Sequence, residues 1–100
     1  MAAASGDATQ VAPDVYTLLF ENDRVRVLDV HLPPGAKSAL HAHPDYVVYL
    51  ASPGKFRFTA ADRSSIEADF PAGAVWRDAE EHAVENSGGT DMRAVFVELK

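Results

Sequence analysis

The sequence contains no cysteine. Disulfides, thiolate metal sites and cysteine nucleophiles are thereby excluded, and any bound metal must be held by nitrogen and oxygen. Basic residues are also few: 9 Lys and Arg stand against 15 Asp and Glu, a formal charge of -6. Arg24, Arg26, Arg57, Arg63, Arg77 and Arg93 are scattered rather than clustered. Nucleic acid and anionic membranes both need basic patches, so neither is expected as a partner. No apolar run approaches the roughly 20 residues of a membrane-spanning helix. The small, polar N-terminal residues offer neither the basic start nor the apolar segment of a signal peptide, and a cytoplasmic location is the expectation. The sequence also lacks a Ser-His-Asp set, a phosphate-cradling glycine loop, a dinucleotide fingerprint and any sustained helical period.

What remains is a pattern of short β-rich runs. A chain of 100 residues is expected to form one domain with a modest core. Residues 1–12 read as a loosely attached segment, and residues 13–100 as the folded domain. Residues 15–20 make a first strand. Residues 24–32 make a second, whose alternation changes phase at Val27-Leu28, predicting a bulge or a strand covered on both sides. Pro33-Pro34-Gly35 stops it. Strands over residues 37–43 and 46–52 follow. They lead to the turn Ser52-Pro53-Gly54-Lys55, in which Pro presets the second position and Gly54 takes a positive φ. Phe56-Arg57-Phe58-Thr59 and Ser65-Ile66-Glu67-Ala68-Asp69-Phe70 alternate as half-buried strands do. Ala74-Val75-Trp76 is a short strand, residues 78–81 a polar loop, and residues 82–86 and 92–99 the last strands. Eight or nine short strands with Gly/Pro turns every 8 to 12 residues indicate an all-β sandwich or barrel.

Two histidines, His41 and His43, stand one residue apart just before the apolar run Tyr46-Val47-Val48-Tyr49-Leu50. Side chains at i and i+2 of a strand share a face, so the two imidazoles project side by side, as paired metal ligands do. Gly35 precedes His41 by five intervening residues, and Gly54 closes the stretch. Further on, Gly73 precedes His82, which is followed after three residues by Asn86. These two elements resemble the two sequence motifs of the cupin superfamily. The resemblance spans residues 18–100 and implies a double-stranded β-helix, the jelly-roll barrel. The first motif carries a glutamate where this chain has Val47. In the second, Ala79-Glu80-Glu81 replaces the usual Pro-x-Gly and the spacing is about one residue short.

The resemblance implies a divalent metal held by His41, His43 and His82. Neutral imidazoles suit Fe, Zn, Ni, Mn or Cu, with geometry and availability deciding among them. With valine at the acidic position, three neutral ligands would leave the full +2 on the ion. Asp45 is an alternative carboxylate, since it shares parity with His43. Glu80 and Glu81 could orient His82 or serve as a base, although a polar loop favours solvation. His31 matches no motif, and Asn86 is expected to contribute structure. Val47, Tyr49, Phe58, Trp76, Val84 and Phe96 are candidates to line an apolar pocket around the histidines. The function implied is a small metal-binding cupin, with dioxygenase-type oxidoreductase activity on a small metabolite as the enzymatic form. A non-catalytic binding or sensing cupin, or a structural one without metal, is the alternative. Apolar residues on both faces of residues 24–32 and 92–99 further predict a homodimer.

Overall fold

The structure is a computed structural model that describes residues 6–100. It contains one short helix, α1 (Ala8–Val11), and nine strands. These are β1 (Tyr16–Glu21), β2 (Val25–Leu32), β3 (His41–His43), β4 (Tyr46–Leu50) and β5 (Gly54–Ala60), then β6 (Ser65–Phe70), β7 (Gly73–Arg77), β8 (Glu80–Asn86) and β9 (Met92–Leu99). They form two antiparallel sheets, one ordered β1-β2-β9-β4-β7 and the other β3-β8-β5-β6. The all-β sandwich expected from the alternation and turn spacing is what forms, in the jelly-roll arrangement that the resemblance implies.

Alternation along β2 and β9 supplies the centre of the core. Leu28, Val30 and Leu32 on β2 are buried, as are Met92, Ala94 and Phe96 on β9. Phe56 and Val84 join them from the other sheet. The apparent change of phase at Val27-Leu28 has a different origin from a bulge in β2. β2 pairs with β9 in unbroken register from Val25↔Leu99 to Leu32↔Met92. Arg26 lies on the inward parity, bonded to Asp7 at 2.6 Å, so a charge occupies a position where a hydrophobe would be looked for. The bulge itself sits in the neighbouring strand, where the β1 register shifts between Leu18 and Phe20 opposite Leu28 and Val27.

The N-terminal boundary also needs correction. Residues 6–12 belong to the folded unit, while Met1 to Ser5 lie outside the described residues. Asp7 caps α1 by accepting from the Thr9 N–H at 3.1 Å, the role short polar side chains play at helix starts. Its carboxylate also binds Arg26, and Ala8 and Ala12 are buried in the core. An N-terminal segment with a cap, an ion pair and two buried alanines is anchored, although its composition alone is small and polar.

The strand called at residues 37–43 is regular only from His41 onward, with Lys37 forming an isolated bridge to Glu85. Gly35 does take a positive φ, +81°, which ends the Pro-Pro turn without the Cβ penalty other residues carry there. Gly54 does not. Its role is steric: a Cβ at that position would stand 2.6 Å from Cζ of Phe56.

Asn86 closes β8 and is buried. Its Nδ2 donates to the carbonyls of Leu32 (2.8 Å) and Thr90 (2.7 Å), and its Oδ1 accepts from the Gly88 N–H at 3.0 Å. One side chain thus pins the end of β2 and the β8–β9 turn. Truncation leaves buried backbone groups without partners, each costing about 1–3 kcal/mol. Asn86→Ala is therefore expected to destabilise the fold by roughly 3 kcal/mol, read as a lower urea midpoint at unchanged slope. A loss within experimental error would show that these bonds are replaced by water.

Candidate metal centre

β3 and β8 pair so that His41 lies opposite His82 and His43 opposite Glu80. Strand parity sets His41 beside His43, and the cross-strand register brings His82 to them. All three are buried, and their candidate ligand nitrogens lie within 4.8 Å of one another. The ring centroids are 4.7, 4.9 and 5.2 Å apart. The sequence expectation that these three histidines converge is met.

The protonation of each ring follows from its partners. Nδ1 of His41 lies 2.8 Å from the Ala39 carbonyl, which can only accept, so Nδ1 carries the proton and Nε2 presents a lone pair. Burial lowers the His41 pKa to about 4, so the ring stays neutral and able to ligate. Nδ1 of His43 donates to Oε2 of Glu98 at 2.7 Å. Its Nε2 is buried without a hydrogen-bond partner. His82 lies 3% exposed. Its Nδ1 is 3.4 Å from Oε1 of Glu80, a charge contact without hydrogen-bond geometry, and neither ring nitrogen has a hydrogen bond. Burial lowers its pKa, with Glu80 opposing.

Orphaned imidazole nitrogens in a dry interior are costly unless something occupies them. Three buried imidazoles converging on one space fit a divalent ion, since ligands at about 2.0–2.2 Å need only a modest inward movement of the rings. The carboxylate of Glu98 behind His43 gives that ring the arrangement typical of metal-binding histidines, in which the second nitrogen is held by an acid, and Glu80 stands beside His82 without a hydrogen bond.

Glu98 was missed in the sequence. It is 1% exposed, and Oε1 lies 3.7 Å from Nη1 of Arg26. Only the register of β9 against β2 and β4, Arg26↔Glu98↔Tyr46, reveals that it faces inward. Glu80 was placed in a solvated loop, but it belongs to β8. It accepts from Tyr46 at 2.5 Å and from Nε and Nη2 of Arg77 at 2.9 and 2.8 Å. Burial would raise its pKa, yet His82, Arg77 and Tyr46 together hold the carboxyl well below its ordinary range. The three-histidine set therefore does not face a divalent charge alone, because two carboxylates stand behind it.

Two tyrosines shape the site and were not anticipated. The Tyr16 hydroxyl donates to Nε2 of His41 at 3.1 Å, occupying the lone pair that a metal would take. Burial, with the charges of Glu98 and Glu80 nearby, pushes its pKa far above the ordinary value, so it is a neutral donor at neutral pH. Tyr46 stacks on His43 with centroids 4.7 Å apart.

A cavity of about 220 Å³ adjoins His82. Phe58, Phe96 and Val84 line it, as expected. Val47, Tyr49 and Trp76 do not. Tyr49 and Trp76 are 53% and 50% exposed, on the outward parity of their strands. The inward positions are Tyr46, Val48 and Leu50 on β4 and Val75 and Arg77 on β7, all at the cavity wall. The valine at the cavity wall is thus Val48, and Val47 lies on the opposite parity. Asp45 accepts from the Ala79 N–H at 2.8 Å in an exposed loop. His31 lies on β2, 3.4 Å from Asp91 and away from the site.

Two outcomes test this geometry. First, His41 titrates at about 4 when folded against an ordinary 6.5, so the unfolded chain binds the extra proton and stability falls with decreasing pH through that window. Glu80, whose pKa is depressed, adds a loss of the same sign at its acid end. The urea midpoint of metal-free protein should drop steadily between pH 6.5 and 4, and a flat profile would refute the assigned protonation states. Second, Tyr16→Phe should free the His41 lone pair and tighten zinc binding about fivefold, the worth of one neutral hydrogen bond. Weaker zinc binding would instead mark the Tyr16 oxygen as a ligand.

The fold has close counterparts among solved structures. A cupin domain from Bordetella pertussis Tohama I is 29% identical, covering 86% of this chain and 92% of that one with a TM-score of 0.78. An RmlC-like cupin with a double-stranded β-helix from Methanocaldococcus jannaschii is 16% identical, covering 85% and 78%, with a TM-score of 0.67. A Klebsiella pneumoniae protein with a double-stranded β-helix domain is 22% identical, covering 85% and 75%, with a TM-score of 0.66. No protein-family model and no curated protein matches the sequence.

Proposed function

Starting from a chain with the fold of the small cupins, we propose that it binds one divalent metal ion through His41, His43 and His82. The observation that carries this reading is the pair of buried, unpartnered Nε2 atoms on His43 and His82 beside His41. When bound, the ion supplies a Lewis acid and, if it is iron, the one-electron chemistry of a dioxygenase-type oxidoreductase. The protein's part is positional. Glu98 fixes the His43 tautomer, Ala39 fixes that of His41, and Glu80 supplies a negative charge beside His82. Phe58 and Phe96 pack against His82 and His43 and keep the site dry.

A second reading, a non-catalytic small-molecule binder, is favoured by one feature. Both carboxylates near the site are engaged: Glu98 with His43, and Glu80 with Tyr46 and Arg77. Neither stands ready as a general base. The two readings share the metal and differ in turnover.

Elemental analysis of untagged protein, followed by zinc and iron titration, tests the metal. Occupancy of about one ion per chain is expected, falling severalfold for each single His→Ala change, while His31→Ala leaves it unchanged. Glu98→Gln should weaken binding about 10-fold or more, as loss of a carboxylate behind a ligating histidine does. Undiminished occupancy in a variant lacking all three histidines would refute the site.

A further inference from the structure

The cavity beside the histidines is walled almost wholly by hydrocarbon. Phe56, Phe58, Phe70 and Phe96 supply aromatic surface, with Val48 and Leu50 among the aliphatic lining. Its volume of about 220 Å³ exceeds the roughly 150 Å³ of an engineered apolar cavity that holds benzene. One ring with a short substituent fits.

The wall contains a single guanidinium, Arg77, and its charge is already committed. Nε and Nη2 bond the two oxygens of Glu80, and the guanidinium carbon sits 5.3 Å over the Phe58 ring. A carboxylate ligand entering this space would lose its hydration and gain no free cation. It would also meet the charge of Glu80. The polar feature offered to a ligand is instead neutral: the Nε2 of His82, buried and unpartnered, since the hydroxyls of Tyr16 and Tyr46 already donate to His41 and Glu80. The burial that holds a polar group without a partner makes a neutral donor the favoured occupant.

We propose that the cavity binds an uncharged single-ring or similarly compact apolar molecule bearing one hydroxyl, whose head points to His82, and that the Arg77–Glu80 pair excludes anionic ligands. The placement of the head at His82 goes beyond the metal-centre reading and holds for metal-free protein, where no ion takes the Nε2 lone pair. The apolar, uncharged character of the ligand follows from the wall alone.

Benzyl alcohol, benzoate and oxalate separate the contributions of ring and charge. Each is titrated into metal-free and zinc-loaded protein, with binding read from NMR shifts of the phenylalanine ring signals and from the melting temperature. In metal-free protein, benzyl alcohol is expected to bind at least tenfold more tightly than benzoate, with no oxalate binding. Val48→Phe fills the cavity and should weaken benzyl alcohol at least tenfold. Ala94→Val, a milder change on the same wall, should weaken it about threefold if the larger substitution fails to fold. Glu80→Gln releases Arg77 and should raise the ratio of benzoate to benzyl alcohol affinity at least tenfold. Benzoate or oxalate binding metal-free protein as tightly as benzyl alcohol would overturn the proposal, as would benzyl alcohol binding that neither cavity variant weakens. Failure of zinc to bind, with benzyl alcohol still bound in the cavity, would refute the metal centre and leave the ligand class standing.

Discussion

The hydrogen bond between Glu98 and His43 joins the two sheets at their most polar point. Glu98 comes from β9 in the centre of the five-stranded sheet, and His43 from β3 at an edge of the other. A carboxylate this deeply buried is stable only with charged or hydrogen-bonded partners. Its surroundings supply them in register. Across the five-stranded sheet, Glu21, Arg26, Glu98, Tyr46 and Arg77 face one another as successive pairs. The sandwich therefore carries an inward polar row at one end, with Leu28, Val30, Ala94 and Phe96 beyond it. That row fixes the orientation of the histidines, and the apolar rows form the cavity wall.

Parity explains both what could be seen in the sequence and what could not. His41 and His43 share a face because they share one strand, and that required no tertiary information. The phase changes between β3 and β4, which belong to different sheets: the intervening loop resets the inward positions from odd to even. Tyr46 and Val48 then turn inward, and Val47 and Tyr49 outward. The parity that Asp45 shares with His43 therefore does not carry into β4, and Trp76, paired with Val47, lies on the outward face too. Glu98, Tyr16 and Tyr46 were illegible for a different reason. A glutamate in an alternating strand is indistinguishable from a solvated one until the neighbouring strand shows Arg26 beside it.

The outward parity has its own consequence. Phe20, Val27, Val97, Val47 and Trp76 pair in sequence across all five strands of the larger sheet. A row of this kind places apolar residues that one small interior cannot hold on the outer face of the sheet. It also explains why composition overstated the pocket lining. Aromatic residues near the site in sequence were divided between an inner face that meets the histidines and an outer face that does not.

Charge placement separates the metal centre from the cavity beside it. Three carboxylates, Asp7, Glu80 and Glu98, face two guanidiniums, Arg26 and Arg77. The surplus negative charge lies behind the histidines, where it would offset the charge of the proposed divalent ion. Arg77, the one cation at the cavity wall, is turned toward Glu80 and so contributes to holding His82 rather than to attracting a ligand. An acidic function held behind the rings rather than among the ligands would have a chemical effect at the proposed site: a divalent ion there would keep more of its Lewis acidity than with a bound carboxylate, while the surrounding charge would still favour its retention. Val48 meanwhile stands at the wall of the apolar cavity.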